Sequence, residues 1–118
     1  MDNKNQTIHF IGIGGIGVSA LAKYYLNQGA LVSGSDLSSS EITDDLIKIG
    51  AQIFIGKHHK KNLPKNTSVV IYTAAVAKDN PELNEAKRQK LKVKSYALAL
   101  GELTKKYKTI TVSGAHGK

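Results

Sequence analysis

The chain has 118 residues, 41% hydrophobic and 22% charged, with a formal net charge of +8. That is one domain's length with a globular balance, which excludes two complete domains and a disordered chain. With no cysteine, disulfides, thiolate catalysis and thiolate metal sites are excluded as well.

Thr7–Ile13 is a short apolar run ending in glycines, the pattern of a strand buried on both faces. Ile16, Ala20, Leu21, Tyr24 and Tyr25 then recur at helical spacing as far as Gln28, and Gly29 supplies a stop. Ala30–Gly34 is a second apolar run. Ser38-Ser39-Ser40-Glu41 offers caps for a helix through Ile49, with Ile42, Leu46 and Ile49 on one face and Gly50 closing it. Gln52–Ile55 reads as a third strand, and Gly56 to Asn66 as a polar, basic loop or short helix. Ser68–Tyr72 is the fourth strand. Asn80 caps a helix that starts at Pro81 and runs to about Lys90. Lys92–Ser95 is a weak strand, and Tyr96–Lys106 carries Leu98, Leu100 and Leu103 in a helical frame. Thr109–Val112 reads as a last strand. Strands alternating with helices predict an α/β fold, a Rossmann-like parallel sheet with helices on both faces.

Charge is uneven: residues 1–55 carry −2 and residues 56–118 carry +10. A basic half can meet nucleic acid, but base stacking needs interleaved aromatics, and Lys57–Lys65 contains none. No nucleic-acid partner is expected. No apolar run approaches the roughly 20 residues that span a bilayer, so no membrane insertion is expected. The polar start Met1–Gln6 lacks a signal-peptide layout, which points to a cytoplasmic protein.

Gly12, Gly14 and Gly17 form G-x-G-x-x-G between a predicted strand and a predicted helix, the context in which that motif binds phosphate. The first glycine permits the tight turn, the second lets a phosphate approach, and the third lets helix pack on strand. The helix N-terminus adds free N–H groups and a positive dipole end. Asp36, 19 residues after Gly17, ends the second strand, where an acid binds ribose hydroxyls or caps a helix. These residues indicate a nucleotide without saying which. An NAD-binding domain of an oxidoreductase or regulator stays open on them.

Gly114-Ala115-His116-Gly117-Lys118 follows another apolar run and has the form of a phosphate-binding loop stopping at its lysine. A Ser or Thr for Mg²⁺ and a helix should follow such a loop. The expectation is therefore the N-terminal piece of a longer enzyme, inactive by itself.

Together the two loops resemble the Mur ligase family. Supporting segments are Val32-Ser33-Gly34-Ser35-Asp36, Gly56 to Leu63 with its His58-His59 pair, and Asn80-Pro81-Glu82, in the family's order. The resemblance implies an ATP-dependent amide-forming ligase of peptidoglycan biosynthesis in three domains. Residues 1–106 would be the Rossmann-like UDP-binding domain, and residues 107–118 the start of the ATP-binding domain. The pattern is nearest that of family members joining L-alanine to UDP-N-acetylmuramate. A sister activity ligating a recycled murein tripeptide shares these motifs. ATP and Mg²⁺ would serve the full-length enzyme, and no tightly bound cofactor or metal is expected in this chain. By resemblance, Gly14, Gly15, Ile16 and Gly17 line the UDP diphosphate, Asp36 lies near ribose or uracil, and His58 approaches the nucleotide, with His59 as the alternative. Gly114, Ala115, His116, Gly117 and Lys118 match the ATP loop, Lys118 being its catalytic cation. Thr73-Ala74-Ala75-Val76 stands where the family usually has Ser-Ser-Ala-Ile or Ser-Ser-Ala-Val. Thr73 keeps one sugar-nucleotide hydroxyl, and Ala74 loses the other, a net loss of about 1 kcal/mol.

Overall fold

A computed structural model describes the backbone of residues 6–114 and the side chains of residues 6–107. Ten elements follow in order: β1 Thr7–Ile11, α1 Ile16–Asn27, β2 Leu31–Asp36, α2 Glu41–Lys48, β3 Gln52–Ile55, a 3-10 turn Lys60–Asn62, β4 Val69–Tyr72, α3 Pro81–Arg88, β5 Lys92–Ser95 and α4 Tyr96–Gly114. The strands form one sheet in the order β3-β2-β1-β4-β5, every neighbouring pair parallel. Crossover helices cover both faces, as parallel pairing requires.

Alternation along the strands divides the interior in two. Ile8 and Phe10 of β1, Val32 of β2 and Ile71 of β4 face α1, α2 and α4, where Val18, Leu21, Leu46 and Ala99 meet them. Ile11 and Val70 belong to a smaller core with Leu63, Leu83 and Ala86, under α3 and the 3-10 turn. His9, Ser33 and Ser35 are also buried, although polar.

Ser40 caps α2 as expected. Its Oγ accepts from Thr43 N–H at 3.3 Å, while Thr43 Oγ1 accepts from Ser40 N–H at 2.8 Å. Ser40→Ala should cost about 1 kcal/mol, read as a lowered thermal midpoint. Asn80 Oδ1 accepts from the N–H groups of Glu82 and Leu83, with Pro81 at the first helical position.

In three helices the buried residues are not simply those at apolar helical spacing. The buried stripe of α1 is Val18, Ser19, Leu21 and Ala22, whereas Ile16, in the first turn, is 83% exposed. On α4, Ala99 is buried with Tyr96 and Leu103 packed alongside, while Leu98 and Leu100 face outward. On α2, Ile49 is half exposed rather than buried.

Residues 109–112 are helical, not a strand. Ser95 Oγ accepts from Leu98 N–H at 3.0 Å and starts α4, and Tyr107 packs edge-on against Tyr24 of α1 with ring centroids 6.1 Å apart. Extending a helix already nucleated adds a hydrogen bond per residue, and β-branched residues oppose it by only a few tenths of a kcal/mol each. A strand would have to pair with an edge of the sheet, β3 or β5, and among the described residues no sixth strand lies beside either.

Candidate functional site

The chain crosses from one half of the sheet to the other between β1 and β4. At such a switch point the loops leaving adjacent strands diverge and open a crevice at the carboxyl ends. The loop after β1 and Thr73–Ala77 after β4 are its walls. They enclose a cavity of about 740 Å³, also lined by Asp36, Leu37, His58 and Asn80. That size is ordinary for a small-molecule site.

The glycine loop is held from below. The N–H groups of Gly12 and Ile13 both donate to Ser35 O, at 2.9 and 3.0 Å. Gly12 has φ +86°, which a residue with a Cβ adopts only with strain, and an added Cβ would lie 2.8 Å from Thr73 Oγ1. Gly14 N–H donates to Asp36 Oδ2 at 2.8 Å, tying the loop to the end of β2. Helix α1 then begins with no side-chain cap bond and no acidic residue in its first turn. An uncapped, positively polarised helix end at a cavity wall suits an anion.

Beneath the rim lies a polar cluster centred on Glu82. Its Oε1 accepts from His9 Nε2–H and Ser35 Oγ–H, both at 2.7 Å. Its Oε2 accepts from Asn62 Nδ2–H at 2.9 Å, His58 Nδ1–H at 3.0 Å and the His59 N–H at 3.3 Å. His9 Nδ1 pairs with Ser33 Oγ at 2.7 Å. Glu82 and His9 are each fully buried. Burial pushes the Glu82 carboxyl up, but hydrogen bonds from His9, Asn62 and Ser35 outweigh it and hold the group down at about 2.

Of the residues named from sequence, Gly14, Gly15, Asp36, His58 and Thr73 line one cavity. Ile16 and Gly17 do not. Gly17 faces the Tyr96 ring of α4, so its missing Cβ serves helix packing. His59 turns away: its Nδ1 accepts from Lys61 N–H at 3.0 Å and caps the 3-10 turn. Gly114 ends α4, while Ala115, His116, Gly117 and Lys118 lie outside the described residues. Among the described residues no group of three or more acidic or imidazole ligands could hold a metal ion, and no helix is long and apolar enough to cross a membrane. Sequence reasoning missed Glu82 and His9 as site-building residues. The available signal was a histidine inside an apolar strand facing the same side as Ser33 and Ser35.

A Rossmann-like α/β fold with a glycine loop at its switch point is the class these features define. The family model described as Mur ligase family, catalytic domain, matches residues 7–108, and the chain belongs to that family. It is 51% identical over 117 residues to the UDP-N-acetylmuramate–L-alanine ligase of Clostridium botulinum (strain Okra / Type B1), covering 98% of this chain and 25% of that protein. The ligase of the same name from Acetivibrio thermocellus is 50% identical over 117 residues, covering 98% and 24%. The chain thus spans about a quarter of these relatives' length. The crystal structure of UDP-N-acetylmuramate–alanine ligase from Thermotoga maritima superposes with a TM-score of 0.80 at 34% identity, over 86% of this chain and 23% of that one. Shikimate dehydrogenase from Aquifex aeolicus superposes at 0.53 and 16% identity, over 80% and 44%, a likeness of fold alone.

Proposed function

We propose that this chain is the UDP-sugar-binding domain of a cytoplasmic ligase that joins L-alanine to UDP-N-acetylmuramate at the expense of ATP. The observation that carries it is the convergence of Gly14, Gly15, Asp36, His58 and Thr73 on one cavity beside an uncapped helix, in a chain half identical to ligases of that name. In this reading the diphosphate sits against the start of α1 at Gly15, which lines the cavity and whose N–H makes only a long 3.4 Å contact to Gly12 O, with the N–H groups of Ile16 and Gly17 behind it. Asp36 Oδ2 is occupied by Gly14. Its Oδ1, with only a 3.4 Å contact from Ser38 N–H, accepts from the ribose. Thr73 supplies a hydroxyl to the sugar nucleotide. Residues 1–106 form the binding domain and residues 107–118 lead into the ATP-binding domain, with α4 spanning the junction.

The reaction proposed for the whole enzyme is transfer of the ATP γ-phosphoryl group to the lactyl carboxylate. The amine of L-alanine then attacks the acyl phosphate, forming the amide and releasing phosphate. When bound, Mg²⁺ would supply charge neutralisation, and Gly114 to Lys118 would hold the ATP phosphates. The contribution of this chain is positioning: it anchors the UDP end so that the distant carboxylate is delivered in one orientation. L-alanine is preferred over a murein peptide because the relatives carry that name.

The test is an amide-detected NMR titration of the ¹⁵N-labelled chain with UDP-N-acetylmuramate and, separately, NAD. Shifts at Gly14–Gly17, Asp36 and Thr73 with the sugar nucleotide alone are expected. The same shifts with NAD alone would overturn the reading.

A further inference from the structure

Glu82 lies below the cavity, does not line it, and still contacts His58, which does. The proton positions in this contact follow by elimination. Ser35 Oγ has one proton, and it goes to Glu82 Oε1 at 2.7 Å. The carboxyl, held at about 2, has none to give at neutral pH. His58 Nδ1 sits 3.0 Å from Glu82 Oε2 and 3.1 Å from Ser35 Oγ. Both neighbours can only accept there, so Nδ1 must carry the hydrogen. In a neutral imidazole the other nitrogen is then a bare acceptor.

The carboxylate itself cannot turn. Five donors from β1, β2, the 3-10 turn and the segment before it fix its two oxygens. His9 anchors it from the interior and is itself tied to Ser33. His58 is thus oriented by a group whose own orientation is over-determined, the arrangement that preorganised sites use.

We propose that Glu82 is a positioning residue that locks His58 with its proton on Nδ1, leaving Nε2 to accept a hydrogen bond from a neutral donor of the uridine, a ribose hydroxyl or the imide N–H. This deepens the reading above and rests on it. It also divides the labour in the cavity. The helix end takes the anionic diphosphate, and His58 reads the nucleoside.

The experiment is imidazole-detected ¹⁵N NMR on the whole chain near pH 8, where an ordinary imidazole is neutral. In the free protein His58 should show a proton-bearing Nδ1 and a bare Nε2. A proton on Nε2 would overturn the proposal without involving any ligand. Ser35→Ala should keep the Nδ1–H form, and Glu82→Gln should give a mixture of tautomers. A switch in Ser35→Ala would assign the lock to Ser35 and refute Glu82. If Glu82→Gln does not fold, the first two measurements still decide the matter.

Titrating UDP, uridine and inorganic pyrophosphate separates the ligand claims. UDP and uridine should move His58 Nε2, and pyrophosphate should move only the glycine-loop amides. With UDP bound at the loop and Nε2 unmoved, or with pyrophosphate moving Nε2, the inference fails and the site reading stands. With no response to UDP or UDP-N-acetylmuramate anywhere, the site reading fails and takes the inference with it. Finally, 2′-deoxy-UDP and N3-methyl-UDP tell the hydroxyl from the imide.

Discussion

Glu82→Ala is expected to lower folding stability by about 3–5 kcal/mol, the cost of removing one partner from a buried charged network. The deleted carboxylate is fully buried and accepts from His9, Ser35, His58, His59 and Asn62. His9 and Ser35, both fully buried, lose their acceptor where water cannot easily replace it. A domain's whole stability is only about 5–15 kcal/mol, so the variant should sit near the edge of folding. Urea unfolding checks it, as a lower midpoint at unchanged slope. A loss under about 1 kcal/mol would mean that the network contributes little.

The same carboxylate gives a pH signature. Its folded-state value of about 2 lies below the ordinary 4.5. Its contribution is therefore complete above about 4.5 and is lost as pH falls through about 2. Wild-type stability should fall across that window, and Glu82→Gln should fall less steeply. Parallel curves would contradict the assignment.

Gly14→Ala should weaken UDP-N-acetylmuramate binding about ten- to hundredfold. The added Cβ would lie 2.7 Å from Asp36 Oδ2, the oxygen that accepts from Gly14 N–H. The loop or the Asp36 carboxylate must move, and their hydrogen bond is lost. A hydrogen bond to a charged group is worth about 1.5–3 kcal/mol, which converts to that range if the loop's shape is what the ligand recognises. Gly101→Ala is the control. An added Cβ there meets nothing within 4 Å, and the residue is in helix α4. It should gain roughly 0.5–1 kcal/mol and leave affinity unchanged. Equal affinity in both variants would remove the loop from the site.

The elements legible in sequence were those with local causes. Capping by Ser40 and by Asn80-Pro81, and strands at Gln52–Ile55 and Lys92–Ser95, needed only neighbouring residues. Which face of α1 or α4 turns inward is set by the sheet, and periodicity gave the spacing without the rotation. Residues 109–112 have strand composition yet continue a helix, because a strand is stable only with a partner. In the site, Gly14 and Asp36 followed from a motif. The His9–Glu82 bond joins residues 73 apart, and nothing within either segment announces the other. Glu82 reads locally as a helix-start acid, which it also is.

The parallel topology also governs how the protein is made. Strand β1 occupies the centre of the sheet, yet its second neighbour is distant: Thr7 N–H meets Ser68 Oγ across 61 residues. At about 5–20 residues per second a ribosome needs roughly 3–12 s to deliver that partner. During that interval β3-β2-β1 can assemble only as a half-sheet, with one apolar edge bare. Such an edge is a template for another nascent chain. Yield on overexpression should therefore depend on how crowded the translating polysome is, more than on the stability of the finished fold.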